Sequence, residues 1–366
     1  MTLKIERLSF GGGRGVARHH NFVIFVPYVL PEEEVLVEIV KLKKNFAEAH
    51  LLKILVPAPK RRVPPCPYFE KCGGCNWQHI DYEKQVEIKH GLYKHFFVKF
   101  KDVEVKNTLP SPKSLNYRNR IQLHRVDNKT GYFQRSTHDL INIDNCLIAD
   151  EKINAYLPHL NNLKDGKYEI FVSQQEHVQH RECGQQSDWQ LFSQVNSLQN
   201  ENLVATCLKW TESLAPKNIL ELFCGAGNFT YPLARQFPQT DIIAIDGSER
   251  LIAQAQKNLA KSSLVQFQQA DLNKREWFSQ LSHRNFDLVI IDPPRTGCSR
   301  QLLDDIIALK PKSLIYISCN PATLVRDLEQ LQKAELYPTK TQAFDMFPQT
   351  DHIESMTFVT RLSNKS

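Results

Sequence analysis

Ile219-Leu220-Glu221-Leu222-Phe223-Cys224-Gly225-Ala226-Gly227-Asn228-Phe229 is an apolar run that ends in a glycine-rich turn. A short buried strand entering a helix through a tight turn reads this way, because glycine lets the backbone bend sharply and pass close to a ligand. From about Leu191 onward the same alternation recurs. Further apolar runs occupy 242–245, 288–291 and 314–317, and helical segments fill 250–261 and 321–334. A mostly parallel sheet with helices on both faces follows, a Rossmann-like α/β domain.

Ligands of such sheets sit beyond the carboxyl ends of the strands. Asp246 stands at the second strand end, Asp271 at the third and Asp292 at the fourth. Asp246 is placed to accept hydrogen bonds from ribose hydroxyls, as the acidic residue of dinucleotide folds does. The glycine spacing is not Gly-x-Gly-x-x-Gly, and no Gly-Lys-Ser/Thr occurs, which argues against dinucleotides and P-loop nucleotides. S-adenosylmethionine, an adenosine cofactor with no phosphates to cradle, suits these strand ends.

Two segments near the C-terminus carry reactive groups: Ser318-Cys319-Asn320-Pro321 after an apolar run, and Phe347-Pro348-Gln349-Thr350-Asp351-His352-Ile353-Glu354. A thiol and a carboxylate supply a covalent nucleophile and a proton acceptor, the pair needed to substitute a carbon that is not itself nucleophilic.

With 366 residues the chain suits two or three domains, each able to bury its own core. A net charge of +6 favours a polyanionic partner, though only mildly. Nine cysteines, an odd and unevenly spaced set, do not form a disulfide framework, so reduced thiols and a bound metal are expected. The N-terminus lacks a signal-peptide core and no long apolar run occurs, so a cytoplasmic protein with no membrane partner is expected.

Residues 1–57 alternate β-branched runs with turns, at 22–26, 34–39 and 49–55, which predicts a small barrel. The proline-rich stretch from Pro57 to Pro65 is a stiff boundary. A mixed α+β region over 58–188 follows, helical over 82–97 and strand-like over 119–125, and the α/β domain takes 189–366. Within the middle region Cys66, Cys72, Gly73, Gly74 and Cys75 bring three thiols together in a flexible loop able to wrap an ion or cluster. The fourth ligand is either His79, which suits zinc, or Cys146, which permits iron-sulfur; spacing alone does not separate them.

Together these residues resemble the RNA 5-methyluridine methyltransferase family over nearly the full length. The N-terminal segment resembles the TRAM domain, a small OB-like RNA-binding barrel, with Pro31-Glu32-Glu33 where that domain usually has Pro-Gly-Glu. The resemblance implies that Cys66, Cys72, Cys75 and Cys146 hold a [4Fe-4S] cluster. It also implies S-adenosylmethionine contacts at Gln194, in Phe192-Ser193-Gln194-Val195-Asn196, and at Phe223, Asn228, Asp246, Asp271 and Asp292. Asp292-Pro293-Pro294-Arg295 and Ser318-Cys319-Asn320-Pro321 match its most specific signatures. Cys319 falls on the nucleophile and Glu354 on the general base.

By this resemblance the substrate is a uridine in RNA, 23S ribosomal RNA before tRNA because the bacterial tRNA enzyme generally lacks the TRAM segment, and the protein is expected to be a monomer. Lys41, Lys43, Lys44, Arg118 and Arg120 are candidates for backbone contact. Cys183, Cys207, Cys224 and Cys298 are expected to be packing residues. A non-catalytic iron-sulfur RNA-binding protein is the rival from another class, and the intact Cys319 and Glu354 speak against it. DNA cytosine methylation shares the thiol chemistry, but its usual Pro-Cys pair does not precede this thiol.

Overall fold

The computed structural model describes residues 1–134, 137–173, 175–183, 194–258 and 264–361. The expected boundary at 188/189, Phe192 and Ser193, and the expected helix end at 261 lie outside the described residues.

β-Branched runs and turns give the N-terminal segment six strands, β1 (Thr2–Lys4), β2 (Arg7–Leu8), β3 (Gly15–His19), β4 (Phe22–Val26), β5 (Glu34–Leu42) and β6 (Phe46–Val56). They form one sheet in the order β1-β5-β6-β4-β3-β2. Its outer strands β1 and β2 are consecutive in the chain, and the residues between them continue their ladders: Ile5 N donates to Glu33 O at 2.9 Å and Glu6 N to Val16 O at 2.9 Å. The alternate residues Val35 and Val37, with Ile24 and Val26, fill the interior. At the turn 31–33, Glu32 takes φ +73°, a conformation that glycine adopts at lower cost. Buried Glu33 holds that turn, accepting from Leu30 N at 2.8 Å and from Arg61 Nε at 2.6 Å.

The middle region supplies α1 (Tyr82–Phe96), β7 (Glu104–Leu109), β8 (Arg120–Val126), β9 (Lys129–Phe133), β10 (Leu140–Asn142), the short α2 (Glu151–Tyr156), β11 (Gly166–Val172) and β12 (Val178–Glu182). Asp81 caps α1 by accepting from Glu83 N at 3.1 Å. Five of the strands make an antiparallel sheet, β10-β9-β8-β11-β12, whose Ile121, Leu123 and Ile170 pack on Ile153 of α2. α1 and β7 go elsewhere, into the third sheet.

That sheet is built from α3 (Ser197–Glu212), β13 (Asn218–Leu222), α4 (Thr230–Gln236), β14 (Asp241–Asp246), α5 (Glu249–Asn258), β15 (Val265–Gln269), α6 (Glu276–Leu281), β16 (Leu288–Ile291), α7 (Arg300–Ala308), β17 (Ser313–Ser318), α8 (Pro321–Lys333), β18 (Leu336–Phe344) and β19 (Glu354–Arg361). Its eight strands run β15-β14-β13-β16-β17-β19-β18-β7. The first five pair in parallel, β19 is antiparallel to β17, and β7 closes the edge in parallel with β18. Period-two alternation sends Val289, Ile291, Leu314 and Tyr316 into a core with α1, α7 and α8, and Leu288, Ile290, Ile315 and Ile317 into a second core with α3 and α4. Both faces are buried, which is why these strands read as unbroken apolar runs.

Candidate active site

Cys319 is the first residue beyond β17 and Glu354 the first of β19. Ser318 pairs with Ser355 in that antiparallel ladder, so thiol and carboxylate emerge side by side at one end of two adjacent strands. Asn320 then caps α8, accepting from Ala322 N at 3.1 Å, with Pro321 in the first turn, where its missing N–H costs nothing. The neighbouring strand β16 delivers Asp292 and, three residues on, Arg295. Asn320 Nδ2 and Thr323 Oγ1 donate to the Arg295 carbonyl at 3.1 and 3.3 Å, which ties the Asp292–Arg295 turn to the turn that carries Cys319.

The electrostatics of this group are those of a part-buried, acidic cluster. Burial pushes the Cys319 thiol up to about 11; Glu354 and Asp292 push the same way and Arg295 opposes them. Burial, and then Asp292, holds Glu354 well above the usual carboxylate range, again against Arg295. Asp292 itself is raised to about 7 by burial. A carboxyl held high in its pKa is a stronger base than an ordinary carboxylate, and a thiol held high needs its proton removed before it can attack.

Beyond the parallel strands lies the second part of the site. Phe223 follows β13 with φ +61°, and Gly225 and Gly227 continue the turn with φ +57° and +93°. A Cβ on Gly227 would meet the Tyr231 ring at 2.6 Å, so that position accepts only glycine. Asp246 accepts from Gly225 N at 2.9 Å and from Ser248 N at 2.8 Å, so its carboxylate holds both adjoining turns. Asn228 exchanges hydrogen bonds with Asn200 of α3 at 2.8 and 3.1 Å. Asp271 accepts from Asn273 N at 3.0 Å. Gln194 precedes α3, its carbonyl accepting from Asn119 Nδ2 at 3.0 Å. A cavity of about 550 Å³ opens beside these strand ends, lined among others by Phe223, Asn273, Pro294, Thr296 and Arg326.

Cys66, Cys72, Cys75 and Cys146 line one small cavity with Arg118, Tyr132 and Gln78. All four are free thiols. Tyr132 Oη donates to Cys146 Sγ at 3.7 Å, and Gly74 N to Cys72 Sγ at 3.4 Å. Burial raises Cys72 to about 11 and Cys75 to about 12, with the other sulfurs adding to it. His79 is not part of this lining: it is buried against Tyr28 and Phe69, with Nε2 3.3 Å from Val29 O, and burial lowers it to about 3. Among the described residues no three His, Cys, Asp or Glu side chains converge as the shell of a single metal ion. Of the two arginines considered for RNA, Arg118 turns inward to this cavity and Arg120 pairs with Glu169 at 3.7 Å.

Two charged groups near these strand ends were not singled out from the sequence. Arg295 is visible only as the end of Asp292-Pro293-Pro294-Arg295; its role as the cation facing both Cys319 and Glu354 needs the fold. Glu221, read as part of an apolar run, is a buried acid that accepts from Thr230 Oγ1 at 2.6 Å, and burial raises it to about 8. Cys207, Cys224 and Cys298 are buried, in keeping with packing roles, and Cys183 is half-buried.

A doubly wound sheet with acidic strand ends beside a half-buried thiol and a buried carboxylate defines a Rossmann-like methyltransferase. The chain belongs to the tRNA (Uracil-5-)-methyltransferase family, whose profile matches residues 165–362, and residues 1–52 match the TRAM domain. It is an RNA uracil-5-methyltransferase. It is 39% identical to an uncharacterised RNA methyltransferase of Bdellovibrio bacteriovorus, over 97% of this chain and 94% of that one. It is 32% identical to the 23S rRNA (uracil(1939)-C(5))-methyltransferase RlmD of Shewanella halifaxensis, over 97% and 94%. The crystal structure of a Pyrococcus abyssi tRNA (uracil-54, C5)-methyltransferase with S-adenosyl-L-homocysteine superposes with a TM-score of 0.77 at 24% identity, covering 98% of this chain and all of that one, and shares its fold. No helix among the described residues is long and apolar enough to cross a membrane.

Proposed function

We propose that the protein methylates carbon 5 of a uridine in 23S ribosomal RNA, with S-adenosylmethionine as donor and Cys319 as covalent nucleophile. The observation that carries this reading is the pairing of Cys319 and Glu354 on adjacent strand ends, with Arg295 facing both. Carbon 5 of uracil is a poor nucleophile towards a methyl sulfonium. The half-exposed Cys319 thiol gives up its proton to solvent, the thiolate adds to carbon 6, the ring becomes an enolate, and carbon 5 displaces the methyl group from sulfur. Glu354 then takes the carbon 5 proton, the carbon 6–sulfur bond breaks, and the thiolate leaves. Arg295 offsets the negative charge that the thiolate and the enolate bring into an acidic pocket. A stacked base cannot enter, so the uridine is extruded, at a cost of a few kcal/mol that RNA contacts offset.

The donor's adenosine would lie across Phe223, Asn228, Asp246, Asp271 and Asp292, with Gln194 from the segment before α3. Residues 1–57 and 58–188 act as RNA-binding and cluster-bearing units of a monomer, and Lys41, Lys43 and Lys44 supply phosphate contacts.

The four-cysteine cavity fits a [4Fe-4S] cluster. Its donors are all sulfur, Tyr132 and Gly74 donate to them, and the Arg118 guanidinium offsets part of the charge of four thiolates. Bound there, such a cluster would cross-link the loop 66–75 to Cys146. No step of the methyl transfer passes through it.

Relatives of the RlmD type support ribosomal RNA as the substrate, whereas the solved structure that superposes acts on tRNA. Mass mapping of 5-methyluridine in ribosomal and transfer RNA from a deletion strain tests the assignment. Loss of one 5-methyluridine from 23S RNA is the expected outcome; loss confined to tRNA would transfer the substrate to the runner-up.

A further inference from the structure

The loop between β18 and β19, which ends at Glu354, is held almost entirely by residues remote in sequence. Its Asp345 pairs with Lys89 of α1 at 2.6 Å, both fully buried. Its Gln349 receives Arg62 Nη2 and Gln85 Nε2 on Oε1, each at 2.9 Å, while the Gln349 carbonyl accepts from Asn76 N and Trp77 N at 3.2 and 3.1 Å. Tyr117 Oη donates to Pro348 O at 3.1 Å.

Asp351, three residues before Glu354, carries the contact with the N-terminal unit. Its Oδ2 accepts from Gly12 N at 2.6 Å and its Oδ1 from Asn76 Nδ2 at 2.7 Å. The same Asn76 amide donates to Gly12 O at 3.1 Å, and Trp77 Nε1 donates to Gly13 O at 3.1 Å. Asp351 is buried, which alone would raise its pKa, yet these donors hold it below the usual range. Gly13 has φ +59°, and a Cβ there would meet Trp77 Nε1 at 2.3 Å and Asp351 Cβ at 3.0 Å. Three parts of the chain therefore close on one point: the turn between β2 and β3, the loop just after Cys75, and the approach to Glu354.

We infer that this junction of Gly12, Gly13, Asn76 and Asp351 makes the N-terminal unit a positioning element for Glu354, in addition to any affinity it supplies for RNA. Asp351 and Gly13 touch no reacting atom; they act by fixing the backbone that presents the Glu354 carboxyl. The inference rests on the covalent reading above, and it differs from an affinity role in a measurable way. An RNA-binding sheet that acted by affinity alone would change binding and leave turnover intact.

The test uses the full chain carrying Asp351→Asn, which is nearly isosteric, or Gly13→Ala, with the unmodified transcript that the mapping identifies. RNA affinity is measured by filter binding, turnover by methyl transfer, and the covalent complex by denaturing gel. For either variant the expected result is an RNA dissociation constant within about twofold of wild type and turnover reduced roughly tenfold or more, the size of effect that a small misplacement of a reacting group produces. Methylated RNA should remain attached to the protein, because the step that depends on Glu354 is the one slowed. Weakened RNA binding with normal turnover would overturn the inference, and so would lost turnover with no accumulated adduct. If Gly13→Ala fails to fold, Asp351→Asn decides alone. Wild-type protein that forms no adduct with RNA containing 5-fluorouridine would instead refute the covalent reading, and the comparison of affinity with turnover would still judge the junction.

Discussion

Ser355 Oγ donates to the Ser318 carbonyl at 2.9 Å across the β17–β19 pair, with both residues buried. This bond lies one residue before Cys319 and one after Glu354, so it fixes the spacing of the proposed nucleophile and base through backbone that solvent cannot reach. A side chain on a strand end is held more closely than one on a free loop. The antiparallel turn-back of β19 is what converts two motifs distant in sequence into neighbours.

The two residues should be separable by where the reaction stops. Cys319→Ala is expected to give neither product nor covalent complex. Glu354→Gln is expected to attack and methylate but to release slowly, leaving protein bound to methylated RNA on a denaturing gel. Alanine variants of Cys224 and Cys298, buried elsewhere in the fold, should still form the adduct. A Cys319→Ala protein that makes the adduct, or a Glu354→Gln protein with normal turnover, contradicts the assignment.

Asp246 already accepts from Gly225 N and Ser248 N, so its removal unhitches the glycine turn as well as any ribose contact. Asp246→Ala should weaken S-adenosylmethionine binding by roughly 1 to 3 kcal/mol, the cost of leaving polar partners unpaired. Titration calorimetry on the folded variant measures this. Unchanged affinity would take Asp246 out of the cofactor site.

Most of the large sheet was legible because its central strands send alternate residues into two cores and so read as continuous apolar runs. β13, β16 and β17 lie where 219–223, 288–291 and 314–317 predict them. β7, β18 and β19 were not read. Lys340, Thr341 and Gln342 interrupt the apolar pattern, and β7 pairs with β18 across more than two hundred residues of chain. The site divides the same way. Cys319 and Glu354 sit in specific local motifs, whereas Arg295 gains its role from a neighbouring strand end, and the bond from Gly12 to Asp351 joins residues with no local signal of each other.

The cysteine cavity makes a prediction that spacing alone left open. Protein purified without oxygen should be brown, with about four irons per chain, the count for one such cluster. Cys146→Ser should lose most of that iron. His79→Ala should keep it, since His79 is bonded to Val29 O and lies outside the cavity lining. Iron analysis and the visible spectrum decide; bound zinc in place of iron, or iron lost on removing His79, would refute the assignment.

Glu221 gives the protein a stability that depends on pH in a definite direction. Buried at the end of β13 with Thr230 as its donor, it titrates near 8 in the fold, whereas in an unfolded chain it titrates in the ordinary range of about 4 to 4.5. Between these values the folded state keeps a proton that the unfolded state has released, so the unfolded state binds fewer protons and stability falls as pH rises. Glutamine at this position keeps an oxygen for Thr230 and cannot ionise. The two proteins should therefore be nearly equally stable at pH 4 to 5, and Glu221→Gln should become progressively the more stable as pH rises from 5 towards 8. Urea unfolding of the protein without cofactor, at a series of pH values, reads this difference. A gap that stays constant with pH, or one that narrows on the alkaline side, would mean that Glu221 is ionised in the fold and that an undetected cation compensates it.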